Sequence, residues 1–257
     1  MSGDALGYVV DGRTARIELN QPTKRNAISA AMWRRLPDLI AQAEGDRSVK
    51  ALVISGAGGH FAAGADISEF DEVYADREKA ETYTRTMLSA LDRLENAAKP
   101  AIAMIRGACM GGGVSIALAC DFRFADDTAE FAIPPARLGI VYSADDTKRL
   151  IAAVGVSAAK RLLMTAERLT AHKAKEIGLV DEVIDSASLS KTVEAFVDEI
   201  AARSQWSVRA TKKMFRLIAA GEDAAAIDLG LDGFESPDFV EGRRAFLEKR
   251  KARFPST

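Results

Sequence analysis

Two short apolar runs, each ending directly in a glycine-rich turn, constrain this chain most. Residues 51–54 run into a turn over 56–64, and residues 101–105 run into a second over 107–113. Apolar runs this short, bounded by turn signals, read as strands buried on both faces. Glycine lets such a strand turn sharply into whatever follows. After the second turn comes residues 114–119, read as a buried helix. Strand–turn–helix units of this kind predict an α/β fold with layered sheets.

The rest of the pattern fits around these units. Tyr8-Val9-Val10 and residues 15–19 flank Asp11-Gly12, a hairpin signal. Ser29 is placed to cap a helix over 30–44, with Pro37 expected to kink it. Residues 78–96 carry Met87, Leu88, Leu91 and Leu94 at helical spacing. Residues 122–125 and 130–133 read as short strands, and from Asp145 onward the pattern is helical. A boundary near residues 203–206 separates a core over 1–200 from a helical region over 201–257.

Composition removes several classes of function. The 257 residues are 48% hydrophobic and 28% charged, with a net charge of −2. That balance suits a folded protein and excludes a globally basic nucleic-acid binder. There is no 18-residue apolar run and no basic leader before an apolar stretch, so neither a membrane span nor a secretory signal is expected. Cytoplasm follows by default. Cys109 and Cys120 sit in apolar, small-residue sequence and are expected as buried free thiols. With only His60 and His172 beside them, no zinc-type cluster can form, so no metal is expected.

The first turn is no dinucleotide site, because Phe61 stands where the third glycine is needed. It is no phosphate loop either, since no Gly-Lys-Ser/Thr follows. Two such turns side by side can instead aim one N–H each at a single oxygen. That arrangement stabilises the oxyanion formed when a thioester becomes its enolate, and a helix start adds a favourable dipole. The plainer use of both turns, close passage of a strand into a helix, fits the spacing as well.

The residues of both turns resemble those of the crotonase (enoyl-CoA hydratase/isomerase) superfamily. Phe61-Ala62-Ala63-Gly64-Ala65-Asp66-Ile67 is similar to its first signature, and residues 105–113 to its second. Residues 21–27, 118–121, 174–181 and 241–250 resemble further family segments, in order along nearly the whole chain. The resemblance implies a crotonase (ClpP-like) spiral of ββα units with a C-terminal helical trimerisation region, giving trimers or dimers of trimers. It implies an acyl-coenzyme A substrate and no cofactor beyond that coenzyme A moiety. Ala65 and Gly112 match the oxyanion-hole N–H donors. Arg25, Ala27, Ala63, Asp66, Ile67 and Pro135 match positions around the substrate and its coenzyme A, and Lys249 matches a lysine that reaches a neighbouring subunit's coenzyme A.

The usual acids are absent. Hydratases of the family place one glutamate at the position of Ser115 and another at Pro135, while single-carboxylate isomerases often use the position of Ser143. Standard hydration is therefore not expected. Candidates nearby are Tyr142, matching a tyrosine of decarboxylating members similar to methylmalonyl-CoA decarboxylase, and Asp145 and Asp146. Ser143-Ala144-Asp145-Asp146 also has the form of a helix cap with acids in the first turn. His60 is expected on a surface loop, Asp66 bonded to its own turn, and Glu69 facing the site weakly. Three readings stay open: an enolate-forming acyl-CoA enzyme using displaced acids, an acyl-CoA decarboxylase, and a non-catalytic acyl-CoA binder.

Overall fold

The computed structural model describes residues 4–255. Strands β1 (Leu6–Asp11) and β2 (Thr14–Leu19) form an antiparallel hairpin. Its loop is Gly12-Arg13, because Asp11 still pairs with Thr14, one residue beyond the expected turn. β3 (Ala51–Gly56), β4 (Ala101–Ile105), β6 (Phe122–Asp126) and β9 (Glu182–Ile184) add in parallel, giving the order β1-β2-β3-β4-β6-β9. A smaller sheet joins β5 (Ala108–Met110), β7 (Glu130–Ala132) and β8 (Leu169–Thr170).

The unbroken apolar runs of β3 and β4 reflect burial on both faces. Leu52 and Ile54, with Ala101, Ala103 and Ile105, face the main core. Ala51, Val53 and Ile102 face a second cluster made with Leu189, Val193 and Val197 of α8 (Leu189–Ala201). The period of two along a strand separates these sets. On the main-core side lie α1 (Ala30–Gly45), the short α2 (Phe70–Val73), α3 (Arg77–Glu95) and α4 (Gly112–Ala119). Ser29 caps α1 by accepting from Met32 N. The helix continues through Pro37 without a break. Its buried stripe of Met32, Trp33, Leu36, Leu39, Ile40 and Ala43 holds it there by packing, which outweighs the lost N–H.

A single helical turn, α5 (Pro135–Leu138), leads to α6 (Ala144–Thr165), and α7 (Ala171–Glu176) follows β8. The second half is thus less purely helical than its sequence suggests. β8 and β9 have two and three residues, too few for an alternating pattern to register. The chain ends in α9 (Gln205–Ala220), α10 (Asp223–Glu235) and α11 (Pro237–Leu247). Lys212 of α9 pins this region to the core through Asp121, at 2.7 Å. Cys109 and Cys120 are buried and free, as expected.

Candidate functional site

The first turn is held by a residue outside it. Asn26 is fully buried, and its Nδ2 donates to Ala57 O at 2.8 Å and His60 O at 2.7 Å. Its Oδ1 accepts from Gln21 N at 2.9 Å. Gly56 is required where the turn begins, because a Cβ there would lie 2.0 Å from His60 O. His60 is not the surface residue expected. It is half-buried, and its Nδ1 accepts from Ala108 N at 3.1 Å, tying the first turn to β5. Neighbouring backbone bonds continue the tie: Ala62 N donates to Ala108 O and Met110 N to Ala62 O, both at 2.9 Å.

That pairing fixes the direction of one N–H. Ile28 N donates to Gly64 O at 2.7 Å, and Asp66 N donates to Ile28 O at 3.0 Å. Both neighbours of Ala65 therefore face Ile28, so the N–H of Ala65 points the other way, as in any parallel bridge. On that side stands Gly112, the first residue of α4, where helix N–H groups have no intrahelical acceptor. The two residues adjoin: Ala65 N is 3.6 Å from where a Cβ on Gly112 would sit. Gly64, at φ +103°, lets the turns touch, since a Cβ there would come within 3.2 Å of Met110 O. Two backbone N–H groups, of Ala65 and Gly112, thus lie close together beside a helix start, where the dipole favours negative charge.

A cavity of about 220 Å³ opens at this point, lined by Ala65, Gly112, Ser115, Pro135, Tyr142 and Asp146 among others. Asp146 is the only charged residue among the described residues lining it. Ser115 Oγ and the Tyr142 hydroxyl are 2.7 Å apart. Burial raises the Tyr142 phenol well above its ordinary range, and the charge of Asp146 adds to this. Asp146 is 1% exposed. Its burial pushes the carboxyl pKa up, partly offset by the hydroxyls of Ser143 and Ser115 and by Arg149. Ser143 Oγ donates to Asp146 Oδ2 at 2.8 Å and accepts from Asp146 N at 3.1 Å, so capping and site coincide. Arg149 is held in turn by Asp92 at 2.7 Å and Glu95 at 2.6 Å.

The other candidates divide. Asp145 does not enter the cavity: it lies on the exposed side of α6 and pairs with Lys148 at 3.0 Å. One helical step of about 100° separates it from Asp146, and spacing alone could not say which faced inward. Asp66 is turned inward to its own loop, accepting from Lys24 at 2.6 Å and from the Ser68 hydroxyl at 2.6 Å. The Lys24 hydrogen bond, followed by that of Ser68, lowers its pKa. Glu69 is absent from the cavity wall and accepts from Ala30 N at 2.7 Å, at the start of α1. Ala27 is buried, while Ile67 is 62% exposed at the cavity mouth. Ala63 is shared by the cavity and a second groove of about 550 Å³ whose walls include Arg25, Thr128 and Arg168. Lys249 is exposed beyond α11, in a left-handed conformation at φ 54°, and lines neither. Sequence reasoning missed Arg168, Asn26, Trp33 and Tyr83. The last two line the cavity, yet in the sequence they read only as members of apolar helix stripes.

No group of three or more His, Cys, Asp or Glu suited to a metal occurs among the described residues. No described helix is long and apolar enough to cross a membrane.

The fold is shared with known proteins. The family model for enoyl-CoA hydratase/isomerase matches residues 11–257. A short-chain-enoyl-CoA hydratase from Clostridium acetobutylicum is 32% identical over 247 residues, covering 94% of each chain. A crotonyl-CoA hydratase from Syntrophomonas wolfei is 33% identical over 249 residues, covering 95% of each. Among solved structures, an enoyl-CoA hydratase/isomerase family protein from Hyphomonas neptunium superposes with a TM-score of 0.95 at 46% identity over 98% of both chains. The chain belongs to the enoyl-CoA hydratase/isomerase family, the crotonase superfamily, and has the crotonase fold.

Proposed function

We propose that the protein moves a proton on the acyl chain of an acyl-coenzyme A thioester, through an enolate held by Ala65 N–H and Gly112 N–H, with Asp146 as the proton carrier. The observation that carries this reading is the single buried carboxyl in the wall of a cavity that also contains the paired N–H groups. Hydration needs an acid and a base around water. Here Pro135 and Ser115 stand where the family's glutamates would be, and Asp146 alone remains. Double-bond isomerisation needs only one such group. The thioester oxygen accepts from the two N–H donors. The α C–H bond breaks, its proton passes to the Asp146 carboxylate, and its electron pair enters the enolate. Asp146 then returns the proton to the γ-carbon, and the double bond moves from β,γ to α,β. Ser115, facing both Asp146 and Tyr142, holds the carboxyl in place and can relay the proton.

Coenzyme A fits the second groove, which shares Ala63 with the cavity and offers Arg25 and Arg168 to phosphate groups. No cofactor beyond that moiety enters the reading. Decarboxylation is less well supported, because a free carboxylate in this cavity would meet Asp146 and no cation among the described lining residues. Exposed Phe215, Phe234, Phe246 and Leu247 on the C-terminal helices suit a homotrimer or a dimer of trimers, in which Lys249 reaches a neighbour's coenzyme A. A cytoplasmic enzyme is the matching location.

The test is exchange of α-protons for deuterium on 3-enoyl- and saturated acyl-CoA, read by mass spectrometry with the product masses. The wild type should exchange and isomerise, and Asp146→Asn should lower the rate on the order of 10²–10⁴-fold with coenzyme A binding retained. Undiminished exchange in that variant would remove Asp146 from the mechanism. Binding without exchange in the wild type would favour the non-catalytic reading.

A further inference from the structure

Trp33 is 1% exposed and packs its ring against the oxyanion hole, with Cζ2 3.4 Å from where a Cβ on Gly112 would sit. Its Nε1–H makes no hydrogen bond of ordinary geometry within the protein. A buried donor left unpaired is costly, on the order of 1–3 kcal/mol, and calls for an explanation. The polar group that faces it is the Tyr83 hydroxyl, in α3. Both residues line the cavity.

An indole N–H can only donate. Facing it, the Tyr83 oxygen can serve only as acceptor, so the phenolic proton must point elsewhere. Around Tyr83 the wall is mostly apolar: Tyr74 meets its ring edge-on at 5.5 Å, and Phe70 meets Tyr74 at 5.0 Å. No side chain accepts the Tyr83 proton among the described residues, and the free direction is the cavity. Burial raises the Tyr83 pKa to about 12, with the charges of Glu69 and Asp66 adding to this, so the proton stays on.

The geometry points to Tyr83 as a specificity-determining donor to an oxygen atom on the substrate's acyl chain, with Trp33 as the positioning residue that turns the hydroxyl toward it. The indole edge spans the gap between Gly112 and Tyr83, which places that oxygen on the first few carbons beyond the α-carbon. The oxygen is a neutral one, a hydroxyl or ketone. A carboxylate would meet the charge of Asp146 in the cavity and those of Glu69 and Asp66 behind Tyr83. This inference rests on the acyl-thioester reading above and adds the polarity of the acyl group.

The test is calorimetric binding of butyryl-, 3-hydroxybutyryl-, acetoacetyl- and succinyl-CoA to the full chain, its Tyr83→Phe variant and its Trp33→Phe variant. The wild type should bind one of the two neutral oxygenated thioesters on the order of tenfold more tightly than butyryl-CoA, the worth of one hydrogen bond. Tyr83→Phe should abolish that ratio, and Trp33→Phe should reduce it, each ratio being taken against the same variant's own butyryl-CoA affinity. A merely structural role for Trp33 would weaken all four ligands alike. No preference in the wild type, a preference surviving Tyr83→Phe, or tightest binding of succinyl-CoA would each overturn the inference. Failure of every thioester to bind would overturn the acyl-thioester reading along with it. Loss of the Asp146 effect on exchange, with the oxygen preference intact, would remove only the proton carrier.

Discussion

Ser115 Oγ and the Tyr142 hydroxyl, 2.7 Å apart, join α4 to the loop that precedes α6. The contact places two hydroxyls beside Asp146 in the cavity wall. Because the two groups share a hydrogen bond, their contributions should not add. Ser115→Ala and Tyr142→Phe, singly and together, should show a coupling of about 0.5–3 kcal/mol in the exchange rate. Additive losses would mean that the hydroxyls act separately.

The pH profile should carry the mark of a buried acid. Asp146 must be ionised to take a proton, and burial raises its pKa above the ordinary 3.8. The acidic limb of the exchange rate should therefore lie at higher pH than an ordinary aspartate would give. The stability has the corresponding sign. Between 3.8 and the raised folded-state value the native state binds more protons than the unfolded state, so Asp146 makes stability fall as pH rises through that window. Its contribution is fully present below 3.8 and lost above the folded value. Urea titrations of the wild type and Asp146→Asn across this range should diverge as pH rises, with the variant keeping the stability that the wild type loses.

Asn26 should matter for stability more than its place outside the turns suggests. Asn26→Ala strips Ala57 O, His60 O and Gln21 N of their partner at once. A loss of about 3 kcal/mol in urea unfolding is expected, together with weaker thioester binding as the first turn loosens.

Two glycines offer a matched comparison. Gly64 sits at φ +103° with Met110 O in the path of any Cβ, whereas Gly12 sits at φ +57° with nothing within 4 Å. Gly12→Ala should cost about 1–2 kcal/mol of stability and leave exchange untouched. Gly64→Ala should carry about 1–3 kcal/mol of strain and also push the turns apart, lowering exchange on the order of 10²–10³-fold. Equal exchange rates in the two variants would show that the contact between the turns is not what sets the hole.

The longer sheet strands, the cap at Ser29 and both glycine turns were legible because each obeys a local rule, whereas β5 lay within the second turn as read and β8 and β9 were too short to register. β3 and β4 are continuous apolar runs, and their burial on both faces is the reason. The choice between Asp145 and Asp146 was not legible. It depends on how α6 is rotated, which the contact between Arg149 and the carboxyls of α3 fixes from a distant part of the chain. His60 was misjudged for a similar reason: its partner, Ala108 N, lies 48 residues away. Tyr83 was hidden in plain periodicity, since a buried tyrosine and a buried leucine look alike on a helix stripe until a facing Trp33 shows where the hydroxyl points.

The paired N–H groups at Ala65 and Gly112 belong to the main chain, and this has a consequence for how such a protein can change over generations. Short of proline, no codon at either position erases the donor itself. Side chains around the cavity are exposed to every nucleotide substitution, but the two donors proposed to receive the negative oxygen are written in the path of the chain rather than in its letters. A lineage can therefore discard one acid, recruit another from the next helix, and pass through intermediates that still grip a thioester. In this chain the cavity wall sets Ser115, Pro135 and Asp146 around those two main-chain groups, so its side chains can vary while the path of the chain stays.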